Sequence, residues 1–252
     1  MNITDYLAAE GVYLASPEEL EDRLLAKIPA HRQNRFFFLR QALFDPQCVK
    51  RAMGAFERFS IRQGMLPEFH SMQYENITHE VPVVLERLPQ GAQVLDVGCI
   101  DGLLTTYYAL ARPDIALTGI DRNDLVIPLA QQRSAKHGMS INFRVADFLA
   151  MDDGPRYDAV VATRVFHEQF TISHGLEGMM PIYQWDKCMQ RSHAMLKPGG
   201  VLFHSIHPTV GNAEDVTAML KDLAEPNGFV QREQHEWIAN EGESYLFVLE
   251  KR

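Results

Sequence analysis

From residue 93 onward, short β-branched runs alternate with segments of helical length, and this rhythm constrains the fold more than any other feature. The runs are QVLDVG, IALTGID, INFRVAD, YDAVVAT and GVLFHSI, with helical stretches such as Leu103–Ala111 and residues 125–137 between them. A parallel strand cannot rejoin its neighbour through a tight turn, so each run needs a long crossover, which a helix supplies. Two final runs, FVQREQHEWI and ESYLFVLEKR, are joined by Asn240-Glu241-Gly242. That leaves no room for a crossover helix, and the pair is expected to run antiparallel. The expected class is α/β, a largely parallel sheet closed by an antiparallel strand.

The first ninety residues carry a different signal. Ser16-Pro17-Glu18-Glu19 forms a capping box with proline at the first helical position, and Leu20, Leu24, Leu25 and Ile28 follow at helical spacing until Pro29. A second helix is expected over residues 33–44. Phe36, Phe37, Phe38, Leu39 and Phe44 make it apolar over much of its circumference, which predicts deep packing. The same phenylalanines suit either a monomer core or a dimer interface. Asp45-Pro46 looks like the cap of a third helix fading before Gly64, and the next segment holds one or two short helices interrupted near Pro82 and ended by Pro89.

Length and composition fit this division. A chain of 252 residues can form one α/β domain with an appended subdomain, and 46% apolar with 23% charged residues is a globular balance. Cys48, Cys99 and Cys188 are odd in number and show no CxxC spacing, which argues for a reducing compartment and against structural zinc. The opening residues show neither a basic n-region nor an apolar h-region, and no apolar run approaches the ~20 residues of a membrane span. A cytoplasmic protein without membrane contact is expected.

Lys and Arg number 24 against 33 Asp and Glu, so the formal charge is 24 − 33 = −9, which opposes nucleic-acid binding. One segment departs from that balance. Residues 23–62 hold nine basic residues (Arg23, Lys27, Arg32, Arg35, Arg40, Lys50, Arg51, Arg58 and Arg62) against two acids, Asp45 and Glu57. They form either solvated helix faces or a positive wall toward an anionic ligand.

The chemistry concentrates in residues 94–102, VLDVGCIDG. A strand ending in a glycine turn that opens a helix presents backbone N–H groups and a positive helix terminus. A dinucleotide pyrophosphate requires G-x-G-x-x-G. Here Ile100 stands at the middle position, and Asp101 adds a like charge. A ligand lacking phosphate and bearing positive charge fits better.

Asp96 to Gly102 resembles the first motif of class I S-adenosylmethionine-dependent methyltransferases, acidic-x-Gly-x-Gly-x-Gly, with Ile100 replacing the middle glycine. The resemblance covers residues 94–252, and further features follow in family order. These are LTGID ending in Asp121, VADF with Asp147 and Phe148, YDAVVATRVFHE, and LKPGGVLF. It implies a Rossmann-like doubly wound sheet of seven strands with the last antiparallel, residues 91–252 binding the cofactor and residues 1–90 forming a helical lid that caps the substrate.

The resemblance also implies site residues. Asp96, Gly98, Cys99 and Gly102 form the first motif, Asp121 with Arg122 meets the ribose hydroxyls, and Asp147 and Phe148 meet the adenine. Thr163 and the lid residue Tyr74 complete the expected S-adenosylmethionine site. Ile100 is expected to face the sheet–helix junction or line the methionine pocket. His167-Glu168 matches a pair common after strand four and reads as structural. His204 and His207 flank Ser205-Ile206 on opposite faces of a strand, which argues against joint metal ligation, and no metal site is expected.

His207, His70 and Tyr183 are the candidate catalytic residues, with His207 as a general base. Arg164 binds either a substrate carboxylate or its neighbour Asp158. Tyr183 and Trp185, within the long segment 169–186, form either a cation–π wall beside the sulfonium or ordinary core. The expected activity is methyl transfer to a small polar or anionic metabolite. A cyclase or lyase reaction of the cofactor and a non-catalytic binding partner are the alternatives.

Overall fold

The computed structural model describes residues 1–42, 49–152, 154–163, 165, 182–206, 213–239 and 242–252; the side chains of residues 49–51, 53, 182–185, 213–217 and 219 stand outside that description. These residues fall into two compact units, one from Met1–Thr78 and the other from His79–Glu168 and Pro181–Arg252.

The first unit is helical. Helix α1 spans Ile3–Ala9 and α2 spans Pro17–Ala26, and both bonds of the Ser16–Glu19 capping box are present, at 2.9 and 3.2 Å. Helices α3 (Ala30–Ala42), α4 (Val49–Arg62) and α5 (Leu66–Met72) follow. Leu24, Ile28, Phe36, Leu39, Phe59 and Met65 form one buried cluster, and Lys27 pairs with the buried Glu68 at 2.6 Å. The deep packing expected along α3 is only partly realised. Phe36 is buried, but Phe37 and Phe38 are 42% and 70% exposed. Successive residues of a helix point about 100° apart, so three in a row cannot share one buried stripe, and Phe36 with Leu39 fill it. Phe44 and Asp45-Pro46 lie outside the described residues.

Helix α6, Tyr74–Arg87, runs unbroken through Pro82, contrary to the interruption expected there. The proline is exposed, while Ile77, Val81 and Val84 are fully buried along one stripe. Burial of that stripe offsets the lost backbone bond.

The second unit is built on a seven-stranded sheet in the order β3-β2-β1-β4-β5-β7-β6. The strands are β1 (Gln93–Val97), β2 (Ala116–Asp121), β3 (Asn142–Val145), β4 (Tyr157–Ala162), β5 (Leu196–Ile206), β6 (Phe229–Ala239) and β7 (Gly242–Lys251). The first five pair in parallel, while β7 runs antiparallel between β5 and β6. Residues 159–162 of β4 are completely buried, as expected for a parallel strand covered on both faces. The intervening helices include α7 (Leu103–Ala111), α8 (Ile127–Lys136), α9 (Ile182–Met195) and α10 (Ala213–Ala224). Among the described residues, no helix is long and apolar enough to cross a membrane.

β1 has β2 on one side and β4 on the other, so the strand order reverses at its carboxyl end. In open α/β sheets the ligand crevice opens at this switch point.

Candidate active site

The turn after β1 is bound to β2 through its backbone. The amides of Gly98 and Cys99 both donate to the Ile120 carbonyl, at 2.8 and 2.9 Å, and the Gly102 amide closes the turn on the Cys99 carbonyl at 2.8 Å. Gly98, Ile100 and Gly102 all have left-handed backbones, with φ of 70°, 49° and 71°. A Cβ on Gly98 would lie 2.5 Å from the Val165 side chain, and one on Gly102 would lie 3.0 Å from the Ala130 Cα. The outer glycines therefore let the end of β4 and helix α8 approach.

Ile100 does not face the sheet–helix junction. Its side chain is 37% exposed, and Cys99 occupies the junction with Ile127, Ala130 and Phe143. The middle position has room for a side chain but imposes a conformation that suits glycine.

Three carboxylates converge on this turn. Asp96 is buried inside β1 and accepts a hydrogen bond from the Thr105 hydroxyl in the first turns of α7. Asp121, ending β2, accepts from the Ile100 amide at 3.1 Å and from the Asn123 amide at 2.8 Å. Burial raises its pKa, and these amides and the Arg122 charge oppose the rise without cancelling it. Asp101 is also buried and meets the Arg133 guanidinium of α8 at 2.6 Å. The repulsion expected from Asp101 is thus largely neutralised within the protein, while Asp96 and Asp121 keep the crevice acidic.

Beyond β3, Asp147 caps a short 3₁₀ turn, Phe148–Ala150, by accepting from the Leu149 amide at 3.0 Å, and Phe148 is buried. Helix α9 packs here, since Arg191 donates to the Leu149 carbonyl at 3.2 Å. The Cys188 thiol of α9 is pushed up to about 12, by burial first and then by the Asp147 charge. Arg122 is exposed, and Thr163 follows β4 half-buried, two residues before the Val165 that covers Gly98.

The structure therefore brings together Asp96, Gly98, Cys99, Gly102 and Asp121. Tyr74 and His70 belong to the first unit, half-buried at the start of α6 and buried in α5 respectively. Arg164, His167, Glu168 and His207 lie outside the described residues, as do the side chains of Tyr183 and Trp185. His204 is fully buried in β5 with Nδ1 3.4 Å from the Ala162 carbonyl oxygen. Asp158, the other partner considered for Arg164, has both its oxygens held by Lys197 at 2.9 and 2.8 Å. Among the described residues, no group of three or more His, Cys, Asp or Glu could hold a metal ion.

Four contributors escaped sequence reasoning: Thr105, Asn123, Arg133 and Val165. Thr105 and Asn123 carry a local signal, a hydroxyl in the first turns of the helix and an amide two residues past the acid. Arg133 and Val165 reach the turn only through the folded sheet.

Comparison with known proteins bears on this geometry. A family model described as a methyltransferase domain matches residues 88–243. A ubiquinone biosynthesis O-methyltransferase of Actinobacillus pleuropneumoniae serotype 5b is 31% identical over 118 residues, which are 46% of this chain and 45% of that protein. The chain thus matches about half the length of its curated relatives or slightly less. Among solved structures, the N-methyltransferase NodS from Bradyrhizobium japonicum WM9 with S-adenosyl-L-homocysteine superposes with a TM-score of 0.56 at 20% identity, covering 71% of this chain and 87% of that one. Magnesium protoporphyrin IX methyltransferase from Synechocystis PCC 6803 with bound S-adenosylmethionine gives 0.57 at 18% identity, covering 73% and 82%. These likenesses bear out the Rossmann-like fold.

Proposed function

The chain belongs to the methyltransferase-domain family, and from that premise we propose that it transfers the methyl group of S-adenosylmethionine to a small polar or anionic metabolite. The observation that carries this reading is the left-handed turn at residues 98–102 hydrogen-bonded to the Asp121 carboxylate. The residues fit the cofactor's chemistry. Two carboxylate oxygens at the end of β2 suit a vicinal diol, and the acidic crevice suits a cation. S-adenosylmethionine, when bound, supplies an electrophilic methyl on a sulfonium.

In this reading Asp121, with Arg122 beside it, accepts from the ribose hydroxyls. Asp147 and Phe148 meet the adenine, and Asp96, Gly98, Cys99 and Gly102 frame the methionine end with Thr163 and Tyr74. The protein's task is to hold donor and acceptor in line and dry, since positioning alone lowers such a barrier substantially. Residues 1–90 serve as the capping region. Arg164 and Trp185 are assigned to substrate binding, and His207, His70 and Tyr183 to the acceptor's proton or orientation. The name of the curated relatives favours an oxygen acceptor.

Calorimetric titration with S-adenosylmethionine, S-adenosylhomocysteine and NAD in parallel tests the cofactor. Binding of the first two at ~micromolar Kd and none of the third is the expected outcome, and failure of a folded sample to bind either sulfur nucleoside would refute it. Methylthioadenosine formation from the cofactor alone would favour the cyclase or lyase alternative.

A further inference from the structure

We propose that helices α3 and α4 carry a separate binding site for a small, multiply charged phosphoryl ligand of diphosphate size. This inference lies wholly in the first unit and stands whether or not the methyl-transfer reading holds. A hollow of about 130 Å³ between the two helices is lined by Arg32, Arg35, Arg58, Arg62, Phe59 and Gln63, with Ala55 also at its wall. Arg32 and Arg35 are three apart on α3, and Arg58 and Arg62 are four apart on α4, so each pair projects from one side of its helix.

Among the described side chains, three other cations of this basic segment have partners. Lys27 pairs with Glu68, Arg40 with Glu21, and Arg23 lies 3.8 Å above the Tyr13 ring. No ion pair among the described residues involves the four arginines of the hollow; Arg35 instead lies 6.0 Å from the centre of the buried Phe59 ring.

Like charges at helical spacing repel, and two such pairs facing one another compound the cost. A chain of net charge −9 here places four arginines around one hollow, with no ion pair to them among the described residues. An anion would relieve the repulsion, and planar guanidinium forks match phosphoryl oxygens two at a time. The hollow is well below the several hundred Å³ of a drug-sized pocket, so it takes one compact group. Net negative charge over the rest of the chain disfavours an extended polyanion. All four arginines are exposed on their helices, so an anion in the hollow is reached from solvent.

The test is calorimetric titration of the full chain with inorganic pyrophosphate at ionic strength held constant with sodium chloride. Two double variants, Arg32→Gln/Arg35→Gln and Arg58→Gln/Arg62→Gln, probe the helices independently, so failure of one to fold leaves the other informative. Arg40→Gln is the control. Saturable binding is expected, weakened about tenfold or more in either double variant and unchanged in the control. Both variants should melt no lower than the parent without pyrophosphate, because repulsion has been removed. Absence of saturable binding, equal binding by a folded double variant, or binding only to a single-stranded oligonucleotide or to phosphatidic-acid vesicles would overturn the proposal.

Discussion

Ile100 holds its backbone at φ 49°, where any Cβ crowds the following carbonyl oxygen, and its side chain is 37% exposed. Left-handed backbone costs a non-glycine residue roughly 1–2 kcal/mol, while glycine brings about 0.5–1 kcal/mol of extra chain entropy. Ile100→Gly should therefore stabilise the protein by roughly 0.5–1 kcal/mol in urea unfolding, and Ile100→Ala should not. Equal effects of the two would show that strain is not what the isoleucine bears. One residue further along the same circuit, Asp121 receives the Ile100 amide. Asp121→Ala should weaken S-adenosylhomocysteine binding by about 1.5–3 kcal/mol for each cofactor hydrogen bond lost; unchanged affinity by calorimetry would contradict its assigned role. The buried thiols give a separate test of the packing. Burial first, and then the charges of Asp96, Asp121 and Asp101, raise the Cys99 pKa well above the usual thiol range, and Cys188 is pushed up to about 12. About one pH unit above the ordinary thiol pKa, Cys188 should exchange with a disulfide reagent roughly a hundred-fold more slowly in the native protein than in urea, and Cys99 more slowly still. Mass mapping of the labelled peptides reads this directly, and fast native labelling of Cys188 would contradict the packing of α9.

Among the elements, the β1 turn and helix α8 depend on each other through Gly102. An added Cβ there meets the Ala130 side chain at 2.8 Å and the Ala130 Cα at 3.0 Å, whereas one on Gly138, just past the C-terminus of α8, meets nothing within 4 Å at a similar φ of 69°. Gly138→Ala should cost only the left-handed penalty of roughly 1–2 kcal/mol. Gly102→Ala should cost about 1–3 kcal/mol more, because α8 must retreat from the sheet. Equal losses in chemical denaturation would mean that α8 does not pack against the turn. Local and non-local causes also divide what could be read from the sequence. The Ser16 capping box, the final hairpin and the bounds of α7 were legible because neighbours in sequence decide them. The left-handed glycines of the turn were legible as a motif, and the exposure of Ile100 removes the junction from the two places expected for it. Phe37 and Phe38 misled because which third of a helix is buried depends on its partners. Pro82 misled because packing of Ile77, Val81 and Val84 outweighs one missing bond. The Arg133–Asp101 pair spans 32 positions, so no local pattern announces it.

Over the whole molecule, net charge suggested what the protein avoids, whereas structure shows where the exceptions are placed. An acidic crevice lies at the β1 switch point of the second unit, and an arginine-lined hollow lies in the first. A ligand stabilises the cooperative unit that binds it, and the turn after β1 lies in the second unit. S-adenosylhomocysteine at about 100 times its Kd should contribute about 2.7 kcal/mol to that unit. Hydrogen exchange should report this as slowed exchange at the Gly98, Cys99, Ile100 and Asn123 amides, whose bonds to Ile120 and Asp121 tie the turn to β2. If protection were confined to the helices of the first unit, the cofactor would have to bind away from the switch point, and the assignment of Asp121 to the ribose would fall with it.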